Sequence, residues 1–385
     1  MPLNRNLTED QILIRDTIRG FAEANIRKQS KILDEKEEFS YEITNQMSEL
    51  GLLGAFLPSK YGGAGLDYVS YIIAVEELAR VDSSQAATIA AHNSLGTGPL
   101  YYFGNEEQKE KYLPKLISGE HIGCMGMSEP EYGSDAVGIQ TKAEKKDDHY
   151  LLNGTKMWIT NAEYADVAYV YTRTGKERKN LSTFIVDKGA EGFSIGKPIH
   201  KMGMRASPTG ELVFDNCKIP HTALVGNEGD SIYHMMKNLE LERITIAGIS
   251  LGIAQACVDQ CVKYAGEREQ FGKSLGNYQM IQKMIAEMAT ETEMMRRFLY
   301  TVAKEYDDGK KGPMVAAQVK LQIPKMATKI ALDAIQLHGG YGYSREFPVE
   351  RMMRDNKLNE IGAGTNEVMI MIIAKELLAL NKTAN

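Results

Sequence analysis

Apolar residues recur at helical spacing from Glu9 to about Ala24, at Ile12, Ile14, Ile18 and Phe21. Thr8 in front of that segment, with Gln11 three residues on, predicts a capped helix start. The same spacing returns over Glu42–Leu50, Tyr68–Arg80, Gln85–Leu95 and Glu106–Leu116, broken by Gly51, Tyr61-Gly62-Gly63-Ala64-Gly65 and Gly104-Asn105. The pattern then shortens. His149–Leu152 and Thr155–Thr160 flank Asn153-Gly154, which predicts a hairpin turn because both residues tolerate positive φ. Val167–Thr172, Ser182–Asp187 and Glu211–Phe214 add β-branched and aromatic runs, about six strands in all. From Asp230 long helical stretches resume over Ser231–Arg268, Tyr278–Tyr306, Pro313–His338 and Asn366–Leu380. The order is therefore helices, strands, helices, an α+β chain without Rossmann alternation. It predicts an N-terminal helical domain over 1–120, a small middle β-domain (barrel or sandwich) over 121–228, and a C-terminal four-helix bundle over 229–385.

Composition narrows the functional classes. The chain has 385 residues and a formal net charge of −6, with no basic stripe of the kind nucleic acid would require. No run approaches the ~20 apolar residues of a membrane helix, so no span is expected. The opening segment has no apolar h-region and carries acids that spoil a transit peptide, which predicts a cytoplasmic protein. Cys124, Cys217, Cys257 and Cys261 show no CxxC and no metal spacing, so reduced core thiols are expected and a metal is not.

Nucleotide loops fail on inspection. Gly362-Ala363-Gly364 lacks the third glycine of GxGxxG, and no predicted strand precedes it. Five other features remain, each bland alone. Met125-Gly126-Met127-Ser128-Glu129-Pro130-Glu131-Tyr132-Gly133-Ser134-Asp135 is a turn-rich stretch entering the strands. Trp158-Ile159-Thr160-Asn161 carries the only Trp. Arg268-Glu269-Gln270-Phe271-Gly272-Lys273, followed by Gln279, reads as a polar loop between helices. Gln336-Leu337-His338-Gly339-Gly340 reads as a glycine-capped helix end. Finally, Ile361 to Glu367 feeds a glycine turn into a helix N-terminus, where free N–H groups suit an anion or carbonyl.

In this order and at these separations the five clusters resemble the acyl-CoA dehydrogenases, flavin enzymes of fatty and branched-chain acid metabolism. The resemblance runs from the Glu9 helix to the last one. It implies non-covalent FAD, a homotetramer, and electrons passed to an electron-transfer flavoprotein. Carried over by position, Met125, Met127 and Ser128 border the flavin, and Trp158 and Thr160 flank its ring. Arg268, Phe271 and Gln279 meet the diphosphate and adenosine of a neighbouring subunit's FAD. Gln336, Leu337, His338, Gly339 and Gly340 receive that same FAD from their own bundle. Thr365 and Glu367 touch FAD as well. Ser134 and Gly364 contact the acyl-CoA thioester arm, and Arg243 lines the same pocket.

One departure decides the mechanism. Removing an α-proton beside a thioester requires a carboxylate base and a polarised carbonyl. Most of the family place that Glu directly before the Gly-Thr of the last helix, where this chain has Ala363. The sequence Leu239-Glu240-Leu241-Glu242-Arg243 offers a replacement. Its two acids lie ~200° apart around a helix and so face different surroundings. The isovaleryl-CoA and long-chain branches likewise carry a Glu immediately before that Arg and a small residue in the later slot. Glu242 is thus expected to be the base and Glu240 to be solvated. Small residues at 362 and 363 leave room near Cβ, which favours a short or methyl-branched acyl group. A long straight chain stays open. Gln85-Ala86-Ala87 offers no Arg for a distal carboxylate. The rivals are an enoyl-CoA reductase running the reverse reaction, an oxygen-using monooxygenase or acyl-CoA oxidase on the same fold, and a non-catalytic acyl-CoA-binding subunit.

Overall fold

The computed structural model describes residues 7–310 and 312–383. Seven helices come first: α1 (Glu9–Phe21), α2 (Arg27–Lys36), α3 (Tyr41–Glu49), α4 (Tyr68–Ala79), α5 (Ser83–Ala91), α6 (Gly98–Phe103) and α7 (Glu106–Ile117). Thr8 and Gln11 close the expected capping box on α1, and Asn105 with Gln108 closes another on α7. A π-helical turn over His92–Thr97 joins α5 to α6. Helix α2 was not anticipated, because a π turn over Ala22–Ile26 rotates the buried face between α1 and α2.

The strands are β1 (Gly123–Gly126), β2 (Lys142–Lys145), β3 (His149–Thr160), β4 (Val167–Arg173), β5 (Leu181–Asp187), β6 (Phe193–Ile195), β7 (Thr209–Pro220) and β8 (Leu224–Val225). They form one sheet in the order β6-β7-β3-β2-β4-β5-β8, with β1 beside β4. Strand β4 is buried on both faces by strict alternation. Ala168 and Val170 join the sheet's own core, while Tyr169 and Tyr171 pack toward Leu113 and Leu116 of α7. Tyr150 of β3 meets Phe184 of β5 at 4.8 Å although two strands separate them, so the sheet curls around that core.

Asn153-Gly154 does not turn the chain. Strand β3 runs straight through it and pairs with β7, with the register slipping between Leu152 and Gly154. Gly154 sits at φ 143°, and a Cβ there would lie 2.6 Å from Thr141 Oγ1, so the glycine serves a bulge and a close approach. The actual β2–β3 reversal falls at 146–148, closed by Lys146 N–H to His149 O at 2.8 Å.

Helix α8 (Ser231–Glu267) follows, then the short antiparallel β9 (Glu269–Gln270) and β10 (Lys273–Ser274), then α9 (Gln279–Asp307), α10 (Pro313–His338), α11 (Val349–Asn359) and α12 (Asn366–Thr383). Helix α8 packs against α4 and α5 as well as α9, α10 and α11, so the helices before and after the sheet share one core. Against expectation, α8 is long and apolar enough by length and composition to cross a membrane, with a mean hydropathy of 1.3 over 18 residues; that stretch is entirely buried within the protein. Cys124, Cys217, Cys257 and Cys261 are buried free thiols.

Candidate active site

The double packing of α8 decides the fate of its two acids. Glu242 is 8% exposed and Glu240 4% exposed, so the expectation of a solvated Glu240 is corrected. Being ~200° apart still separates them, but both sides of this helix are dry. Glu240 accepts hydrogen bonds from Tyr306 Oη at 3.2 Å and Lys237 Nζ at 3.4 Å. Among the described residues, no cation pairs with Glu242. Its partner is Ser94, whose Oγ meets Oε2, and burial pushes the carboxyl up to about 7 while the Ser94 bond pulls it down. Ser94 lies in the π turn, which Asn93 pins by donating to Leu52 O at 2.6 Å and Ile89 O at 3.0 Å. A buried carboxyl poised near neutrality is suited to take and hold a proton.

The next residue in sequence, Arg243, is buried and donates from Nε to Ala363 O at 3.3 Å. Lys320 of α10, fully buried, donates to Glu360 O at 3.1 Å and to Gly364 O. Burial, and after it the Arg243 charge, bring Lys320 down to about 8. Two cations thus hold the carbonyls of the turn before α12, while its Gly362 and Asn366 N–H groups donate to Leu358 O at 2.8 Å and Glu360 O at 3.1 Å. The backbone is in the left-handed region at both Ala363 (φ 53°) and Gly364 (φ 96°). A Cβ on Gly364 would lie 2.8 Å from Met369 Cε. Thr365 Oγ1 accepts from Val368 N–H at 3.3 Å and caps α12. Glu367 is held below the usual carboxylate range by its own N–H and by Thr365.

A second group gathers at the end of β3. Met125 Sδ accepts from Asn238 of α8 at 3.4 Å, and Ser128 O accepts from Met157 N–H at 2.9 Å, which places Ser128 beside Trp158. Trp158 is 57% exposed at φ 66°, in a register break between Lys156 and Ile159. A bulky residue in that conformation is strained, and such strain collects at binding sites. Thr160 pairs with Thr209 and is half-buried. Beneath this surface the fully buried Lys156 Nζ donates to Met127 O at 3.1 Å and Glu129 at 2.8 Å. Glu129 also accepts from Gln140 N–H at 2.6 Å and Thr141 N–H at 2.8 Å. Ser134 lies exposed in the following turn.

The third group is an open cleft of about 540 Å³. Arg268, Leu337, His338, Gly339 and Gly340 all line it, and no described residue of the β1–β8 sheet does. His338 Nδ1 donates to Ala334 O at 2.8 Å, which leaves its buried Nε2 an acceptor without a partner. A Cβ on Gly339 or Gly340 would meet nothing within 4 Å, so backbone is exposed to any occupant. Gln336 and Gln279 are exposed on their helices, and Phe271 is 94% exposed at φ 50°. A cation, bare glycine backbone and an orphaned acceptor fit the polar end of a dinucleotide. The strained, exposed Trp158 fits the face of a flat ring.

Sequence reasoning missed Ser94, Lys156, Glu129 and Lys320. Two had a signal. Lys156 occupies a β3 position that alternates onto the apolar face, and Lys320 interrupts an apolar helical stripe. Ser94 had none.

Three family models match in succession: acyl-CoA dehydrogenase N-terminal domain over residues 8–120, middle domain over 124–217 and C-terminal domain over 229–378. The chain is 42% identical over 375 residues to an acyl-CoA dehydrogenase of Bacillus subtilis, covering 97% of this chain and 99% of that one. It is 43% identical over 375 residues to a mitochondrial isovaleryl-CoA dehydrogenase of Pongo abelii, covering 96% and 89%. A solved chain from work on the electron transferring flavoprotein of Acidaminococcus fermentans superposes with a TM-score of 0.95 at 41% identity, covering 98% and 100%.

Proposed function

The chain belongs to the acyl-CoA dehydrogenase family, and from that premise we propose that it oxidises a short or branched acyl-CoA thioester to the trans-2-enoyl-CoA, with Glu242 as the base. FAD is the cofactor and, when bound, supplies the acceptor for the β-hydrogen and its electron pair. The observation that carries this reading is the state of Glu242: buried, without a cation, pushed up to about 7, and on the residue just before Arg243. Ala363 cannot do its work.

The residues then take these roles. Glu242 takes the α-proton and holds it as a neutral carboxyl, which its dry surroundings favour. Arg243 and Lys320 fix the Ala363–Gly364 turn, so that its N–H groups can polarise the thioester carbonyl. Gly364 and Ser134 contact the thioester arm. Met125, Met127, Ser128, Trp158 and Thr160 border the ring, with Lys156 holding the Met127 carbonyl from below. Arg268, Phe271, Gln279 and Gln336–Gly340 take the diphosphate–adenosine end, with Thr365 and Glu367 at the α12 terminus. The cleft residues and the sheet residues serve different copies of the cofactor. This requires a homo-oligomer, a tetramer in our reading, and the exposed Phe271 and Met280 give it an apolar surface to bury.

The small Gly362-Ala363 pair and the similarity to an isovaleryl-CoA dehydrogenase support a branched substrate. Likeness to the chain from the electron-transferring flavoprotein work supports that protein as electron acceptor. Four free thiols are consistent with a cytoplasmic enzyme. The test is anaerobic bleaching of the bound flavin by branched and straight acyl-CoAs. In Glu242→Gln substrate should still bind while bleaching slows by at least ~10²-fold. Bleaching at the wild-type rate would remove Glu242 from its role.

A further inference from the structure

Ser94 Oγ stands between two acceptors and owns one proton. On one side it lies 2.6 Å from Ala90 O, and on the other it meets Glu242 Oε2. A carbonyl oxygen can only accept. The hydroxyl can therefore donate to Ala90 or to Glu242, but not to both. If it donates to Ala90, the contact with Glu242 holds only when the carboxyl itself brings the hydrogen.

We propose that Ser94 is a positioning residue that serves Glu242 in both of its protonation states by reversing a hydrogen bond. While Glu242 is ionised, Ser94 O–H donates to Oε2 and gives the carboxylate its stabilising contact. Once Glu242 has accepted the α-proton, the serine hydrogen swings to Ala90 O, and the new carboxyl O–H turns about its C–O bond to donate to Ser94 Oγ. No proton leaves the pair, and the carboxyl keeps one orientation in both states. The π turn makes this possible, because it sets Ser94 within reach of α8 while leaving it beside Ala90 one turn back.

Little else around Glu242 competes for this role. On α4 the buried Tyr71 phenol is raised by burial first and by the Glu242 charge second, but its Oη makes no hydrogen bond to the carboxylate. Along α8, Thr245 donates back to Leu241 O at 3.0 Å. Arg243 is engaged by Ala363 O, and Glu240 by Tyr306 and Lys237. His92, in the same π turn, is bonded to Leu116 O and Gly123 N–H and kept neutral by burial, which brings it down to about 4. Among the described residues, Ser94 is the one hydrogen-bond donor to the carboxylate.

This inference rests on Glu242 being the base, and the test separates the two. The second-order rate of anaerobic flavin reduction, followed against pH, reports the ionisation of the free enzyme's base. In Ser94→Ala the midpoint should rise by about one pH unit, making reduction roughly tenfold slower on the acid side, with the high-pH rate largely kept. Ser94→Cys, a near match in volume but a weak donor, should also move the midpoint up, and Ser94→Thr should restore it. Folding and FAD content are read from the absorbance of each purified variant. An unmoved midpoint in Ser94→Ala and Ser94→Cys overturns the proposal, as does a uniform loss of rate at every pH. Bleaching of Glu242→Gln at the wild-type rate would overturn the base itself. Slow Glu242→Gln with an unmoved Ser94→Ala midpoint overturns only the switch.

Discussion

Two buried carboxylates, one under the sheet and one on α8, show opposite treatments of the same chemical group. Glu129 is 6% exposed and has Lys156 at 2.8 Å plus two backbone N–H donors. Burial works against its ionisation, yet the lysine and those donors hold it below the usual carboxylate range. Glu242 is 8% exposed and has one hydroxyl. It is pushed up to about 7. A carboxylate with its cation is fixed in charge and serves as a strut for the Met127–Ser128 backbone. One without a cation can change charge, and that makes it available for chemistry.

The sharpest break of this contrast is to make Glu129 resemble Glu242. Lys156→Met removes the cation but leaves the acid buried, which should cost about 3–5 kcal/mol and lower FAD retention with it. Denaturant unfolding of the purified variant measures the first effect and flavin absorbance the second. Replacing both partners, Lys156→Met with Glu129→Leu, should recover much of the stability because no charge is then stranded. A single variant as stable as wild type would show that the pair is not a strut.

The second test concerns pH. The folded-state pKa of Glu242 is raised from 4.5 to about 7, so the fold prefers its neutral form. Below about pH 4 the acid is protonated in both folded and unfolded chains, and its neutral-state stability is fully present. As pH rises toward 7 the unfolded chain releases the proton first, and the fold loses stability until its own carboxyl ionises. That loss amounts to roughly 3 kcal/mol, at about 1.4 kcal/mol per pH unit. Glu242→Gln lacks the titration. It should therefore match wild type near pH 5 more closely than near pH 8, where the variant should be the more stable of the two. Parallel stability curves across that range would mean that Glu242 is not held neutral.

What the sequence made readable follows from the range of the forces involved. Helical stripes and caps are local, and Thr8 with Gln11 or the glycine end at Gly339 were evident from neighbours alone. The five site clusters were evident together, and Arg268 and Leu337–Gly340 do meet in one cleft. Asn153-Gly154 misled because the local signal for positive φ is shared by turns and bulges, and pairing with a distant β7 chose the bulge. Glu240 misled for a related reason. Helical geometry gives the angle between two side chains but not what covers each side, and α8 is covered on both. Ser94 depended on a π turn, a one-residue widening that no side-chain pattern announces.

Glu240 gives the smallest expected effect and the closest control. It sits on the same helix as Glu242 and is as well buried, so burial alone cannot distinguish them. Partners do. Tyr306 Oη and Lys237 Nζ both donate to it, at 3.2 and 3.4 Å, and Lys237 reaches it from a half-exposed position. In Glu240→Gln the amide oxygen can still accept from Tyr306, and only the long contact with the ammonium is weakened. The loss of stability should be about 1 kcal/mol or less, in line with partly exposed ion pairs. Flavin reduction by acyl-CoA should stay within about twofold of wild type, because a residue turned ~200° from Glu242 cannot reach the same α-carbon. The decisive measurement is the pair of reduction rates under identical anaerobic conditions. A Glu240→Gln enzyme that folds, keeps its FAD and reduces it a hundredfold more slowly would transfer the base to the other side of α8. The contrast between paired and unpaired carboxylates would then fail, since the acid with partners would be the one at work.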